Sequence, residues 1–315
     1  MLARLPMTQH LRRTLPAALI LVATTLAIAC GGTATVVPAE TTAPPTRSGA
    51  APPARVAVIV MENHEYGAIV GARQAPFITR LAHTAALATQ MYAITHPSLP
   101  NYLALTGGST FGIDSDCTDC SVHATSLVDQ LESKRLSWKA YMDGLPHPCF
   151  TGSDAGEYAK KHNPFLYYTG IARSQARCGQ IVPLTQLAAD EQAHALPRFL
   201  WISPDLCHDM HDCSVQTGDR FLAGLVPSLL GALGPHGVLF LTWDEGDSDN
   251  GCCRLASGGH IATIVAGSGA RPGARLRTAT DHYSVLRTIE DLYGLPRLRG
   301  AACPCTSSLQ ALLRR

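Results

Sequence analysis

Short apolar runs that stop abruptly at charged or small residues recur along the chain, and they set the first expectations about its fold. Residues 55–61 (RVAVIVM) are continuously apolar and β-branched, the pattern of a strand buried on both faces. Residues 199–203 (FLWIS), 237–243 (GVLFLTW) and 260–266 (HIATIVA) repeat it, and 86–92 is strand-like. Helical spacing of apolar positions lies between these runs, at 75–86, 126–133, 219–233 and 282–293. Strand and helix alternate, which predicts an α/β fold with a mostly parallel central sheet and helices on both faces. In such a sheet the residues just beyond the carboxyl ends of the strands share one crevice, so the polar residues there are the first candidates for chemistry.

Three strand ends carry such residues: Glu62-Asn63-His64, the stretch 205–212 (DLCHDMHD), and Asp244-Glu245. Any one of them alone reads as a solvated acidic loop. Together, at converging strand ends, they supply hard oxygen donors for a divalent cation, with imidazoles beside them to bind metal or move protons. Ser98 lies in THPSLPNY at 95–102, where a helical segment begins at about 102–105. It either caps that helix or acts as a nucleophile beside backbone N–H groups that favour an anion. Lys160 and Lys161 next to His162 form either a clamp for a dianion or a surface turn. The stretch 245–251 (EGDSDNG) looks like the start of a calcium loop, but the required glycine is Asn250 and the bidentate acid falls on Ala256. Asp247 and Asp249 are therefore expected to be solvated loop acids. Trp243, His260 and His282 read as structural residues as readily as cleft residues.

The ends change the picture of where such a domain works. Arg4, Arg12 and Arg13 precede an apolar run at 15–28 that ends in Ala27-Ile28-Ala29-Cys30-Gly31. An export signal over 1–29 with a lipid on the Cys30 sulfur is expected, the alternative being an ordinary secretory signal cut near Ala29. Residues 30–54, rich in Thr, Ala and Pro, read as a disordered tether, and 55–315 as one catalytic domain. Those roughly 260 residues suffice for a single large core. Loss of the signal with its three arginines turns a formal charge of +1 into −2, which gives no support to a nucleic-acid partner. Eleven cysteines are many for a cytosolic enzyme. With Cys30 set aside the rest are even in number, and in an exported chain they read as disulfides. Structural zinc is the weaker reading, because Cys117-x-x-Cys120 has no second pair at a finger-like interval. Which cysteine meets which is not readable from spacing.

The motifs VIVMENH (58–64), HPSLPNY (96–102), KHNPF (161–165), DMHD (209–212), TWDE (242–245) and HYSVL (282–286) follow one another in an order that resembles the phosphoesterase family of bacterial acid phosphatases and phospholipases C. The nearest branch is that of the secreted mycobacterial acid phosphatase, and the resemblance runs over about residues 55–296. It implies an alkaline-phosphatase-like fold and hydrolysis of phosphate monoesters. Ser98 stands at the family's phosphate-attacking hydroxyl, which forms a phosphoserine intermediate. Glu62 with Asn63, and Asp244 with Glu245, stand at its two pairs of ligands for a divalent metal ion, and His162 and His211 at histidines that face the transferred phosphoryl group. Lys161, Asn101 and His96, within the same motifs, are expected to bind substrate. Phospholipase members usually carry Thr at the position of Ser98 and Arg at that of Tyr102, so these residues favour a phosphatase over phospholipase C or another phosphodiesterase. A binding lipoprotein without turnover is the remaining alternative, and the intact set of catalytic-type residues speaks against it. The expected substrate is a small phosphorylated molecule, such as a phosphoinositide or sugar phosphate. The expected location is exported, either lipid-anchored on the outer face of the membrane or secreted. His208 has no counterpart in the pattern.

Overall fold

The computed structural model describes residues 54–253 and 256–314. The expected signal at 1–29, the lipidation site Cys30 and all but the last residue of the tether at 30–54 lie outside the described residues. No helix among the described residues is long and apolar enough to cross a membrane.

In chain order the principal elements are β1 (Val56–Met61), α1 (Pro76–Thr84), β2 (Ala86–Tyr92), α2 (Ser98–Gly107), α3 (Leu127–Ser133), β3 (Trp138–Met142), β4 (Ile181–Pro183) and β5 (Phe199–Ser203). They continue as α4 (Val215–Leu233), β6 (Val238–Trp243), β7 (His260–Ala266), β8 (Arg275–Leu276), β9 (Thr280–Asp281) and α5 (His282–Tyr293). The strands form one nine-stranded sheet in the order β8-β2-β7-β6-β1-β5-β3-β4, with β9 also paired to β2. The pairs around β1 are parallel, Val56 facing Phe199 of β5 on one side and Val238 of β6 on the other. Only β7 runs against its neighbours, antiparallel to both β6 and β2. The connection from β6 to β7 contains no crossover helix, so the chain turns back beside the strand it has just left. The sheet is therefore mostly parallel, as the alternation of elements predicts.

Every residue of β1, β5 and β6 is buried, so both pleated faces of the sheet centre are covered. The helices fall into two packing groups. Helix α1 lies against α4, while α2, α3 and α5 pack on one another. Side chains such as Ile59, Phe199, Trp201, Phe240 and Trp243 are fully enclosed between these layers, and each contributes roughly 1.5–3 kcal/mol from lost apolar hydration.

Two strands escape a reading of the apolar pattern. In β3 (WKAYM) Lys139 interrupts the run, and its ammonium pairs with Asp190 at 2.5 Å instead of meeting the core. Strand β4 is only three residues long and ends in Pro183 at the sheet edge, where a missing N–H is tolerated. Helix starts are sharper. Ser126 and Asp129 form a capping box at α3, Ser214 accepts from the N–H of Thr217 at α4, and Asp281 caps α5.

The cysteines other than Cys30 pair as Cys117–Cys120, Cys149–Cys178, Cys207–Cys213, Cys252–Cys253 and Cys303–Cys305. Disulfides, not zinc ligands, are thus what the structure contains at these positions. Only Cys149–Cys178 closes a long loop, with a sequence separation of 29.

Candidate active site

The parallel order β6-β1-β5 brings three polar strand ends side by side. Glu62 follows β1, and its N–H donates to the carbonyl of Asp209 in the loop after β5, 3.0 Å away. Asp244 follows β6, and its N–H donates to the carbonyl of Met61 at 2.8 Å. Asn63 has a left-handed backbone (φ 52°) that turns the chain out of β1, and its N–H donates to Asp244 Oδ1 at 3.1 Å. Main-chain hydrogen bonds thus hold the acidic side chains in register.

Ser98 is the first residue of α2, and Pro97, which offers no side-chain bond, is the cap. The hydroxyl of Ser98 is therefore not capping the helix. It donates to Glu62 Oε2 at 3.1 Å and lies 3.4 Å from Glu245 Oε1, with Asp244 also within reach. Ser98, Glu62 and Asp244 are almost wholly enclosed, and Glu245 nearly so.

Three carboxyl groups in one dry place cannot all ionise without a cation. Burial pushes Asp244 well above the ordinary carboxylate range, and the neighbouring Glu62 and Glu245 push it further. Burial likewise raises Glu245, although His96 opposes the rise. Burial also works against Glu62, but His162, the Tyr102 hydroxyl and Lys161 overcome it and hold this carboxyl below its usual range. Asp244 Oδ2 is buried without a hydrogen-bond partner. An orphaned carboxylate oxygen amid like charges around a nucleophile-type hydroxyl is the donor set of a divalent cation, so the residues present fit a metal ion.

The histidines occupy two different surroundings. His162 is enclosed, with Nε2 3.3 Å from Glu62 Oε1 and Nδ1 3.1 Å from Asp209 Oδ2. Burial alone would lower its pKa, but the two carboxylates outweigh this and push it up to about 9. His211 is partly exposed. Its Nδ1 faces Asp212 at 2.6 Å, which leaves Nε2 to accept from Lys161 Nζ at 3.0 Å. Candidate ligand atoms of Glu62, His162 and His211 lie within 4.8 Å of one another, so the two imidazoles border the carboxylate cluster.

Two expected substrate-binding residues have other work. Asn101 Oδ1 accepts from the N–H groups of Ile94 and Thr95, and its amide donates to the carbonyls of Thr95 and Pro97. Its hydrogen-bonding capacity is filled and it is fully buried, so in this structure it shapes the loop before Ser98. His96 is half-exposed, but Nδ1 faces Glu245 at 2.6 Å and Nε2 faces the carbonyl of Ser248 at 3.2 Å, which makes it a support for Glu245. Lys161, by contrast, stands at the site beside His211.

Several site residues carry no sequence signal strong enough to single them out. The Tyr102 hydroxyl donates to Glu62 Oε1, and its ring stacks on His162 at 5.4 Å. Asp209 backs His162, and Asp116 bonds Lys161 at 3.1 Å. Tyr102 and Asp209 were visible within the motifs, but only as motif positions. His208 also gains a role: its Nδ1 lies 2.7 Å from Asp143 Oδ2 and 3.2 Å from Asp205 Oδ1, and its ring stacks on Phe221 at 4.5 Å. It clasps the loop that carries Asp209 and His211 to the end of β3. His260 stacks between Tyr66 and Tyr92, and His282 bonds the carbonyl of Trp243 at 3.0 Å, both outside the carboxylate cluster. Asp247 and Asp249 are exposed, as expected of loop acids.

Residues 71–296 match the model of the phosphoesterase family. The chain is 34% identical over 248 residues to a phosphatidylinositol-3-phosphatase of Mycobacterium tuberculosis, and the match covers 78% of each chain. It is 31% identical over 232 residues to an acid phosphatase of Aspergillus fumigatus, covering 69% of this chain and 50% of that one. The chain thus spans about half the length of that fungal relative. Among solved structures, an alkaline phosphatase superfamily protein from Vibrio parahaemolyticus superposes with a TM-score of 0.56 at 14% identity, covering 80% of this chain and 70% of that one, a likeness of fold. A family match across most of the folded residues, on a sheet whose strand ends converge in this way, makes the chain a member of the phosphoesterase family and a phosphoric ester hydrolase.

Proposed function

We propose that the chain is an exported acid phosphatase that hydrolyses phosphate monoesters with Ser98 as nucleophile. The observation that carries this reading is the Ser98 hydroxyl at the N-terminus of α2, turned into a cluster of buried carboxylates instead of toward its own helix. Glu62, Asp244 and Glu245, with Asn63 beside them, are the residues that would hold a divalent metal ion. Such an ion would neutralise the acids and polarise a phosphoryl oxygen.

Ser98 Oγ passes its proton to the carboxylate cluster it already donates into and attacks phosphorus in line with the ester oxygen, forming a serine O–P bond as the ester P–O bond breaks; the proton returns to Oγ when the phosphoserine is cleaved. Lys161 and the N-terminus of α2 draw the phosphoryl oxygens by charge and by the N–H groups of the first helical turn. His162, fixed between Glu62 and Asp209, adds positive charge beneath the site. Once Lys161 turns to the phosphoryl oxygens, His211 Nε2, on the open side, is free to take up a proton from solvent, hand it to the departing alkoxide and then take one from the water that cleaves the phosphoserine.

A phosphoinositide is the substrate class favoured by the mycobacterial relative's name, and the acid phosphatase name of the Aspergillus relative favours a monoester over a diester. An outward-facing location, with a lipid on Cys30, rests on the composition of residues 1–31 and the disulfides. Turnover of p-nitrophenyl phosphate, of phosphatidylinositol 3-phosphate in vesicles and of a phosphodiester control tests the reading in wild type, in Ser98→Ala and after chelation. Loss of monoester turnover by at least about a thousandfold in Ser98→Ala is expected. Near wild-type turnover in that variant ends the nucleophile assignment, and preferential diester cleavage by the wild type replaces the phosphatase with a phosphodiesterase.

A further inference from the structure

Between Gly107 and Leu127 the chain forms no helix or strand, only a bridge from Val122 to Tyr168. A connection this long inside a compact domain is usually functional. Gly108 and Gly112, both with left-handed backbones (φ 71° and 75°), lie on its way to Asp116. The Asp116 carboxylate bridges the start of α2 and Lys161. Its Oδ1 accepts from the N–H of Leu99, the residue directly after Ser98, at 2.9 Å. Its Oδ2 accepts from Lys161 Nζ at 3.1 Å, and the same ammonium reaches His211 Nε2 at 3.0 Å. Those are the groups that should meet a phosphoryl oxygen: an N–H at a helix start beside the nucleophile, free of any bond within the helix, and a cation next to the proton-transferring histidine. Both are already bonded to one carboxylate, which belongs to neither element. It is only partly enclosed, its side chain 27% exposed.

We propose that Asp116 is a built-in stand-in for the phosphoryl group, one that substrate must displace and that returns to expel inorganic phosphate. This rests on the phosphatase reading above. A phosphate dianion and the Asp116 carboxylate compete for the same donors, and their like charges repel at short range. The free site keeps Lys161 and the Leu99 N–H oriented without holding phosphate tightly. Asp116 therefore acts on affinity for anions and takes no part in breaking the ester bond.

The test compares the full-length wild type with Asp116→Asn, which removes the charge, and Asp116→Ala, which also removes the competing acceptor. Inhibition of p-nitrophenyl phosphate turnover by orthophosphate is measured, and orthophosphate binding is measured separately by calorimetry. The inhibition constant and the Kd are expected to fall on the order of tenfold in both variants, at least as far in Asp116→Ala as in Asp116→Asn. A loop that merely lost a structural tie would bind phosphate more weakly, a change of opposite sign. An unchanged or raised Kd in either variant overturns the proposal. Absence of turnover in the wild type would sink the phosphatase reading alone, because the calorimetric comparison still decides whether Asp116 competes with phosphate.

Discussion

Deleting one oxygen atom by Tyr102→Phe tests how the site keeps its acids ordered. Tyr102 is fully buried in α2, its hydroxyl donates to Glu62 Oε1, and its ring packs on His162 and Trp201. Burial, reinforced by Glu62, Asp244 and Asp209, raises the phenol well above its usual pKa, so it remains a donor at every working pH. Phe preserves the ring and its packing, so the variant isolates one hydrogen bond to a buried carboxylate. Such bonds contribute about 1.5–3 kcal/mol. For a domain of this size that corresponds to a fall in Tm of about 3–6 °C in chelator-treated protein. Glu62 would also lose a partner that orients it, and outer partners of this kind are worth about 10–100-fold in metal affinity. Thermal unfolding with chelator, and p-nitrophenyl phosphate turnover against added Mg2+, Ca2+, Mn2+ or Zn2+, measure the two effects. A Tm within about 1 °C of wild type would refute the energetic argument. A lowered Tm with an unmoved metal midpoint would refute the placement of Glu62 among the metal ligands.

Two further predictions concern stability away from the site. The Cys149→Ala/Cys178→Ala pair frees a loop of separation 29, and the chain-entropy treatment gives a loss of about 3–4 kcal/mol by denaturant unfolding; a loss below about 1 kcal/mol would contradict it. Glu290 is fully enclosed in α5, accepts from the N–H of Leu298 at 2.8 Å, and is pushed by burial up to about 8 from its ordinary 4.5. Below about 4.5 both folded and unfolded chains carry the proton; between about 4.5 and 8 only the folded chain keeps it, so stability falls as pH rises through this window. Glu290→Gln keeps the acceptor for Leu298 and is expected to gain on the order of 2–4 kcal/mol relative to wild type at pH 8.5 and little at pH 4.5. An equal difference from wild type at both pH values would show that Glu290 does not titrate in this way.

How far the sequence alone reaches can be followed strand by strand. The runs around β1, β5, β6 and β7 were legible because burial on both faces demands unbroken apolar stretches, and this demand is local. Strand β3 was hidden by Lys139, whose charge is neutralised by Asp190, about fifty residues away in sequence. The polar residues beyond the strands were legible for the same local reason, since each run ends abruptly at them. Spacing left Ser98 open between cap and nucleophile, and the resemblance favoured the nucleophile. The tertiary structure turns the hydroxyl away from its helix and toward Glu62 and Glu245, because Pro97 holds the cap position.

Residue roles were less legible than residue positions. Asn101 and His96 lie in a motif that suggests contact with substrate, yet both are committed to the protein's own groups. Asp116 carries no signal at all in a loop of scattered acids. Local periodicity and composition, read off neighbouring residues, determined the α/β class, the central strands β1, β5, β6 and β7 and the polar strand ends. The order of the strands determined that Glu62, Asp209 and Asp244 meet, the disulfide partners followed from the packing, and a long loop determined that a carboxylate faces the helix holding Ser98. Only tertiary structure could decide these, because each is a contact between segments whose separation along the chain leaves no periodic trace.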